Sequence, residues 1–599
     1  MQEVVREHRD DLILRIRVLA ALVVGLLAVI GAGYWYVQLV RGDEYRRLAD
    51  ENRLRKLFIQ APRGLIYDRR KRLLVENIPS YNLMLDRSRS QNVEKALGFA
   101  AEVLGRRPED LLALLDRYRS VPAFTPVLVA ENLTLPQVSR VGALSFEYPE
   151  LEVEVQHLRL YRHGAQTAAF LGYVGEATQQ EIDAADGAYK VGDLVGKKGI
   201  EQAYDAVLRG RGGERTVVVD SRGELLDELQ QKPAVPGKTL HLTIDLELQQ
   251  EAARWLEGPE KVGAIVAMDP RDGAILALVS SPGYDPNLFT RRLQADEWNA
   301  LIQDPHRPLQ NRAIQNTYSP GSTFKMVMAT AGLTEGLVRE DTRVFCSGSG
   351  VFYGRRFRCW RSGGHGAMDA RAAIKNSCDI YFYTLGQKLG IERIARYART
   401  FGFGRLTGID IGGEKAGLVP DTAWSLKERG TKWYAGETIS VAIGQGPVLS
   451  TPLQMATMTA MIANGGYRVT PHLIAAADVP PPQHVPLDAR ALRVVREGMW
   501  AVVNEPGGTG WAARVAGAEM AGKTGTVQVI GQAQRTDTRS LPFKYRDHAW
   551  FTSFAPLHNP ELVVVVFAEH GGSGSKSAAP IAQALHAKYF KDLLHSAAP

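Results

Sequence analysis

From Val18 to Val40 the chain runs 23 residues without a charged side chain. As a helix rising about 1.5 Å per residue, that stretch crosses the hydrocarbon core of a bilayer. It divides the chain into one segment folded by lipid and a long remainder that must fold in water. Arg15 and Arg17 bound it on one side, and Arg41, Asp43 and Glu44 on the other. Tyr34, Trp35 and Tyr36 suit an interfacial aromatic belt. The apolar core of a cleaved signal peptide is shorter, so an uncleaved anchor is expected rather than a leader or a buried core helix. Basic residues on both sides leave the orientation open. Long domains translocate largely regardless of charge, so the C-terminal bulk is expected to be exported. The division predicted is a tail over 1–17, an anchor over 18–40, a membrane-proximal domain over 41–238 and a second domain over 239–599.

With 599 residues and a net charge of +7, the chain suits an anionic setting such as a membrane surface or a cell-wall polymer. The positive charge is spread along the chain, with no zinc-finger repeat, ribonucleoprotein motif or basic helix, which argues against nucleic acid. Residues 41–60 are expected to continue the helix out of the membrane. Ala61–Arg69 then enters a mixed α/β module, with helices over 90–120 and 176–187 and strands over 148–160 and 214–220. Residues 233–238 read as its exit. Beyond Thr239, strands over 240–244, 262–268 and 274–280 come early, strands over 549–555 and 562–568 come late, and helices lie between. That order predicts an α+β domain with one central antiparallel sheet flanked by helices.

Three short motifs fall inside this second domain. Ser322-Thr323-Phe324-Lys325 opens an apolar helical run. Residues three apart share a helix face, so the lysine is placed to serve the serine as base. Burial and the positive end of the helix favour the neutral amine that such a role needs. A second Ser-x-x-Lys, Ser573 to Lys576, lies in a Gly/Ser stretch that reads as a loop. Ser377-Cys378-Asp379 forms a short turn between two helical patterns. Lys523-Thr524-Gly525-Thr526 lies on an alternating strand, where a lysine, hydroxyls and glycines make a cradle for a carboxylate. Gly517 to Thr524 also matches a phosphate loop, but the chain continues as a strand where that motif must open a helix.

The order Ser-x-x-Lys, Ser-x-polar, Lys-Thr-Gly is far more specific than any one piece. With Pro62-Arg63-Gly64, Gly444-Gln445-Gly446 and Thr451–Gln454, it makes the chain resemble the class B penicillin-binding proteins from the anchor to the C-terminus. Within them it is similar to the elongation-specific penicillin-binding protein 2 group. Asp379 points there, since most relatives carry asparagine at that position.

The resemblance implies a peptidoglycan D,D-transpeptidase acting through an acyl-enzyme on Ser322. Lys325 would take the serine proton. Ser377, with Lys523 nearby, would relay a proton to the departing D-alanine. The backbone N–H groups of Ser322 and Thr526 would hold the oxyanion, and Lys523, Thr524, Gly525 and Thr526 would line the carboxylate site. Asp379 takes the third position of the middle motif. Gln445, His548 and Trp550 are candidates either for the cleft or for ordinary packing. The resemblance further implies β-lactams as inhibitors, peptidoglycan stem peptides as substrate and a SEDS-type, RodA-like membrane polymerase as partner. It places the chain in the bacterial cytoplasmic membrane with the catalytic domain on the periplasmic or extracellular side. A membrane-anchored penicillin-binding sensor or scaffold without turnover is the competing reading.

The three cysteines, Cys346, Cys359 and Cys378, fall within 33 residues, with His365 among them. Three thiolates and an imidazole make a closed tetrahedral zinc set, while a disulfide with one spare thiol fits an exported protein. Spacing leaves both open. The resemblance favours one structural Zn2+ per chain at these four residues, bracing the turn that carries Ser377.

Overall fold

The computed structural model describes residues 2–46, 54–59, 61–90, 92–118, 126–189, 193–219, 225–291, 293–475, 479–530 and 541–596. A helix, Gln2–Trp35, runs into a wider π turn, Tyr36–Val40. The stretch Leu12–Val40 is long and apolar enough to cross a membrane, and none of it is buried. The predicted span lies inside it.

Two compact units follow, and they do not respect chain order. The first contains 79–157 and 210–236 with the N-terminal residues; the second contains 63–78, 158–209 and 237–599. In the first, Leu54–Ile59, Gly213–Val219 and Leu225–Lys232 form a three-stranded antiparallel sheet. Residues 54–59 are therefore a strand and not the continued helix expected over 41–60. Pairing with Gly213–Val219 overrides a weak local preference there. Residues 47–53 of that expected helix lie outside the described residues. The helices Val93–Leu104 and Pro108–Arg117 match the expectation over 90–120, and the first packs Leu97, Phe99 and Ala100 into a core with Leu83, Val129 and Leu151.

The second unit is organised by a sheet whose strands are β1 (Gly263–Met268), β2 (Ile275–Ser281), β3 (Ala521–Val527), β4 (His548–Ala555) and β5 (Leu562–Ala568). Their spatial order is β2-β1-β5-β4-β3, antiparallel throughout. The run Val563–Phe567 in β5 is wholly buried because helices cover both faces. Neighbouring residues of β4 show this: Thr552 meets Thr459 of the helix Pro452–Ala463, while Ser553 lies 3.1 Å from His586 of the helix Ala579–Ser596. The Pro452–Ala463 helix is buried on every side, so it is a core helix rather than an amphipathic surface one.

Two histidines of this unit are held neutral by burial. His586 is pushed down to about 3, and His548, which also feels His570, to about 4. Unfolded histidine titrates near 6.5. Between those values the unfolded chain binds more protons, so stability is complete above about pH 6.5 and is lost as pH falls towards about 4. The slope is about 1.4 kcal/mol per pH unit for each histidine. The melting temperature of full-length protein is expected to fall across this window, and His586→Gln to flatten the fall by roughly half. An unchanged pH profile in that variant would contradict the assignment.

Candidate active site

Ser322 sits in a tight 3-10 turn, Gly321–Phe324, that leads into the helix Lys325–Thr334. The turn is fixed from two sides. Gly321 has φ 56° and donates from its N–H to Gly444 O at 2.8 Å. A Cβ on Gly444 would lie 2.1 Å from Gly321 O, so the first glycine of Gly444-Gln445-Gly446 is required where it backs the Ser322 turn. On the other side Gly525 of β3 approaches Thr323 and Pro320; a Cβ there would meet them at 3.1 and 3.3 Å. Ser322 itself is half-buried.

Lys325 is completely buried and its amine is fully engaged. It donates to Ser377 O at 2.9 Å, to Ser377 Oγ at 3.2 Å and to Asp379 Oδ1 at 2.7 Å, and it lies 5.5 Å from the Phe382 ring centre. The hydrogen bond to Ser322 expected from the three-residue spacing is not among those formed between the described residues. The Asp379 carboxylate outbids the hydroxyl as a partner for a buried amine. Ser377 has φ 50°, a left-handed conformation that costs a non-glycine residue about 1–3 kcal/mol. That backbone aims Ser377 O and Oγ together at Lys325.

Asp379 opens the helix Asp379–Thr400, where a carboxylate also suits the helix dipole. Its second oxygen, Oδ2, accepts the Trp360 N–H at 2.8 Å, and Trp360 Nε1 donates to Asn376 O at 2.9 Å. Asp379 thus joins the lysine to the cysteine-bearing loop. Asp379→Ala leaves the buried Lys325 amine without its counter-charge, which costs about 3–5 kcal/mol. The melting temperature of Asp379→Ala is expected to fall clearly below wild type, with Asp379→Asn in between. Equal stability of all three would show that the pair contributes nothing.

Lys523 on β3 is also completely buried, with its amine 3.0 Å from Thr524 O. Burial, reinforced by the charge of Lys325, drives its amine well below the ordinary lysine value; Asp379 opposes this more weakly. Thr524 donates to Thr509 Oγ1 at 3.0 Å and is buried, while Thr526 is exposed and accepts from Gly574 N–H at 3.4 Å. The second Ser-x-x-Lys is not the plain loop expected. Gly574–Ala578 forms a wide helical turn against β3 and β4, and a Cβ on Gly574 would meet Trp550 O at 2.3 Å and Gly525 O at 2.5 Å.

Of the three cleft candidates, Trp550 is entirely buried and donates to Ser319 O at 3.0 Å, a packing role behind the Ser322 turn. His548 accepts the His570 N–H at the end of β4. Gln445 is half-buried beside the Gly444 support. Thr509 and Trp360 carry no local motif, and Gly574 belongs to a stretch whose composition reads only as a loop. All three reach the site from distant segments.

Cys346, Cys359, His365 and Cys378 converge, with their ligand atoms within 4.8 Å of one another. His365 Nδ1 lies 3.6 Å from Cys346 Sγ and 3.5 Å from Cys359 Sγ. All three cysteines are buried and free, so no disulfide joins them. Sharing of a proton between Cys359 and Cys378 draws the Cys359 thiol down and pushes Cys378 up. Ligands around a tetrahedral zinc ion are spaced about 3.5–3.8 Å apart, so the two Nδ1–Sγ separations suit such an ion, and the whole set of four lies close enough to gather around one.

Residues 263–587 match the penicillin binding protein transpeptidase domain, and residues 58–242 the penicillin-binding protein dimerisation domain. The chain is 37% identical over 589 residues to the peptidoglycan D,D-transpeptidase MrdA of Haemophilus influenzae, covering 95% of this chain and 90% of that one. It is similar to the penicillin-binding protein PBP2 of Helicobacter pylori in complex with MreC, with TM-score 0.81, 29% identity, and coverage of 90% and 99%. A solved peptidoglycan synthase complex that coordinates polymerization and crosslinking includes a chain 34% identical, with TM-score 0.73 and coverage of 96% and 98%. The chain belongs to the class B penicillin-binding proteins, with both their dimerisation and their transpeptidase domains.

Proposed function

We propose that the protein is a peptidoglycan D,D-transpeptidase that cross-links stem peptides during cell elongation, through an acyl-enzyme on Ser322. The observation that carries this reading is the meeting of three remote motifs: the Lys325 amine on Ser377 and Asp379, with the buried amine of Lys523 close by.

Ser322 Oγ attacks the carbonyl carbon of the penultimate D-alanine. Its proton passes to the Lys325 amine, which is held by Ser377 and Asp379. Asp379 Oδ1, 2.7 Å away, balances the charge that amine gains, while burial, reinforced by Lys325, drives the nearby Lys523 amine well below the ordinary lysine value. Ser377 Oγ, 3.2 Å from Lys325 Nζ, is positioned to pass a proton to the leaving D-alanine amine. Backbone N–H groups of Ser322 and Thr526 hold the oxyanion, each worth about 3–4 kcal/mol by analogy with other acyl-transfer sites. Thr524 and Thr526, on one face of β3, receive the terminal carboxylate with Lys523 behind them. An amine from a second stem then attacks the acyl carbon and releases Ser322. A β-lactam, resembling D-Ala-D-Ala, would stop at the acyl stage.

We assign Cys346, Cys359, His365 and Cys378 as the ligands of one structural zinc ion, which would brace the Ser377–Asp379 turn. The N-terminal helix serves as a single-pass anchor, with the catalytic domain on the periplasmic or extracellular side, where peptidoglycan lies. A RodA-like SEDS polymerase is the partner assigned, because a transpeptidase needs glycan strands. Support comes from the relatives solved with MreC and within a peptidoglycan synthase complex.

Full-length protein in detergent, given a D-Ala-D-Ala stem peptide and an acceptor amine, is expected to release D-alanine and form the cross-linked product. Acylation by penicillin with turnover of neither a peptide nor an ester would instead favour a sensor or scaffold.

A further inference from the structure

Between Asp341 and Asp369 the chain contains no acidic residue but five arginines: Arg343, Arg355, Arg356, Arg358 and Arg361. The middle of this stretch is a hairpin, Ser349–Phe352 paired with Arg355–Arg358. Tyr353 and Gly354 join the strands with φ 47° and 76°, the left-handed pair of a tight two-residue turn. Cross-strand partners share a face, which sorts the side chains. Phe352 and Phe357 fall on one face and pack against Tyr383 of the Asp379–Thr400 helix, with ring centres 5.7 and 5.5 Å apart. Val351, Arg356 and Arg358 fall on the other, which is exposed; Arg355, paired with Phe352 on the first face, lies beside the turn and is itself exposed. Tyr353 and Trp360 are also open, at 47% and 42%. The hairpin is therefore rigid and anchored from beneath, with a basic, aromatic outer surface.

Its position gives this surface a use. Immediately after the second strand, Cys359 enters the thiol cluster and Trp360 donates to Asp379 and Asn376, on either side of Ser377. A ligand on the outer face would thus lie on the element that is bonded directly to the catalytic turn. Peptidoglycan has the matching chemistry: stem peptides rich in carboxylates for guanidinium groups, and sugar rings with apolar faces for Tyr353 and Trp360.

We propose that the hairpin 349–361 is a docking surface for the carboxylate-bearing stem peptides of a peptidoglycan strand, holding the polymer beside the Ser377 turn. This rests on the transpeptidase reading above. The test uses full-length protein in detergent and purified insoluble peptidoglycan in a sedimentation assay. The triple variant Arg355→Gln, Arg356→Gln, Arg361→Gln is expected to bind roughly tenfold more weakly, and wild-type binding to weaken with salt. Wild type should also lose binding to peptidoglycan whose carboxylates have been converted to amides. Penicillin acylation and turnover of a small D-Ala-D-Ala peptide should stay within twofold of wild type, which separates failure of the docking surface from failure of the transpeptidase reading. Unchanged sedimentation of the triple variant, or indifference of wild type to carboxylate amidation, overturns the proposal. Loss of binding to anionic phospholipid vesicles with peptidoglycan binding intact overturns it in favour of a lipid surface.

Discussion

Ser322→Ala is expected to lower D-alanine release by at least about ten-thousand-fold and to leave the melting temperature near that of wild type. Removing the nucleophile of a serine acyl-transfer enzyme typically costs about a million-fold in turnover, and what remains comes from binding and the oxyanion donors. The fold should tolerate the change, because Ser322 is half-buried and its turn is held by Gly321, Gly444 and Thr323 rather than by its hydroxyl. The sharp control is Ser573→Ala, in the other Ser-x-x-Lys. Ser573 Oγ lies 2.9 Å from Ser575 Oγ, and both belong to a turn that braces β3. Turnover in that variant should remain within a few-fold of wild type. A deep loss in Ser573→Ala with activity retained in Ser322→Ala would reverse the assignment.

Treatment with a chelator is expected to give the second large effect, through the zinc ion proposed above. The four candidate ligands tie together three strands of chain: the segment ending at Cys346, the loop carrying Cys359 and His365, and the turn carrying Cys378 between Ser377 and Asp379. Structural zinc sites in small domains supply on the order of 10 kcal/mol of folding energy. Here the surrounding core retains much of the fold, so a chelator is expected to lower the melting temperature by about 10 °C rather than unfold the chain. Losing the brace should slow penicillin acylation about 10- to 100-fold, the range seen when groups that orient a site are removed. Native protein should hold about one zinc per chain, and denaturation with chelator should release three reactive thiols, since all three cysteines are free. No metal and a single thiol would mean a disulfide, and the brace would be lost from the account while the acyl-transfer chemistry remained.

The parts of the site that could be read in advance are those whose chemistry is local. Ser322 with Lys325, the Ser377 turn and the Lys523 strand each announce themselves within a few residues, and the buried run of β5 could be read from its apolar length. What could not be read depends on partners far along the chain. Asp379 declared itself only as an unusual motif residue. Its two hydrogen bonds, to Lys325 and to Trp360, need the fold to bring residues 325, 360 and 379 together. The same limit hid Thr509 beside Thr524, and the support that Gly574 gives to β3. Residues 54–59 were misread for the related reason that their strand partner, Gly213–Val219, lies some 150 residues away. Three-residue spacing puts Ser322 and Lys325 on one helix face but does not decide which acceptor the amine takes. A buried ammonium goes to the nearest carboxylate before a hydroxyl.

The central claim is that Ser322 is the acyl-forming nucleophile. Its most direct test is to treat full-length protein with penicillin, measure intact mass and map the modified peptide. The account predicts one adduct per chain, on the peptide containing Ser322, and none in Ser322→Ala. An adduct on any other residue, or one that persists in Ser322→Ala, would contradict it.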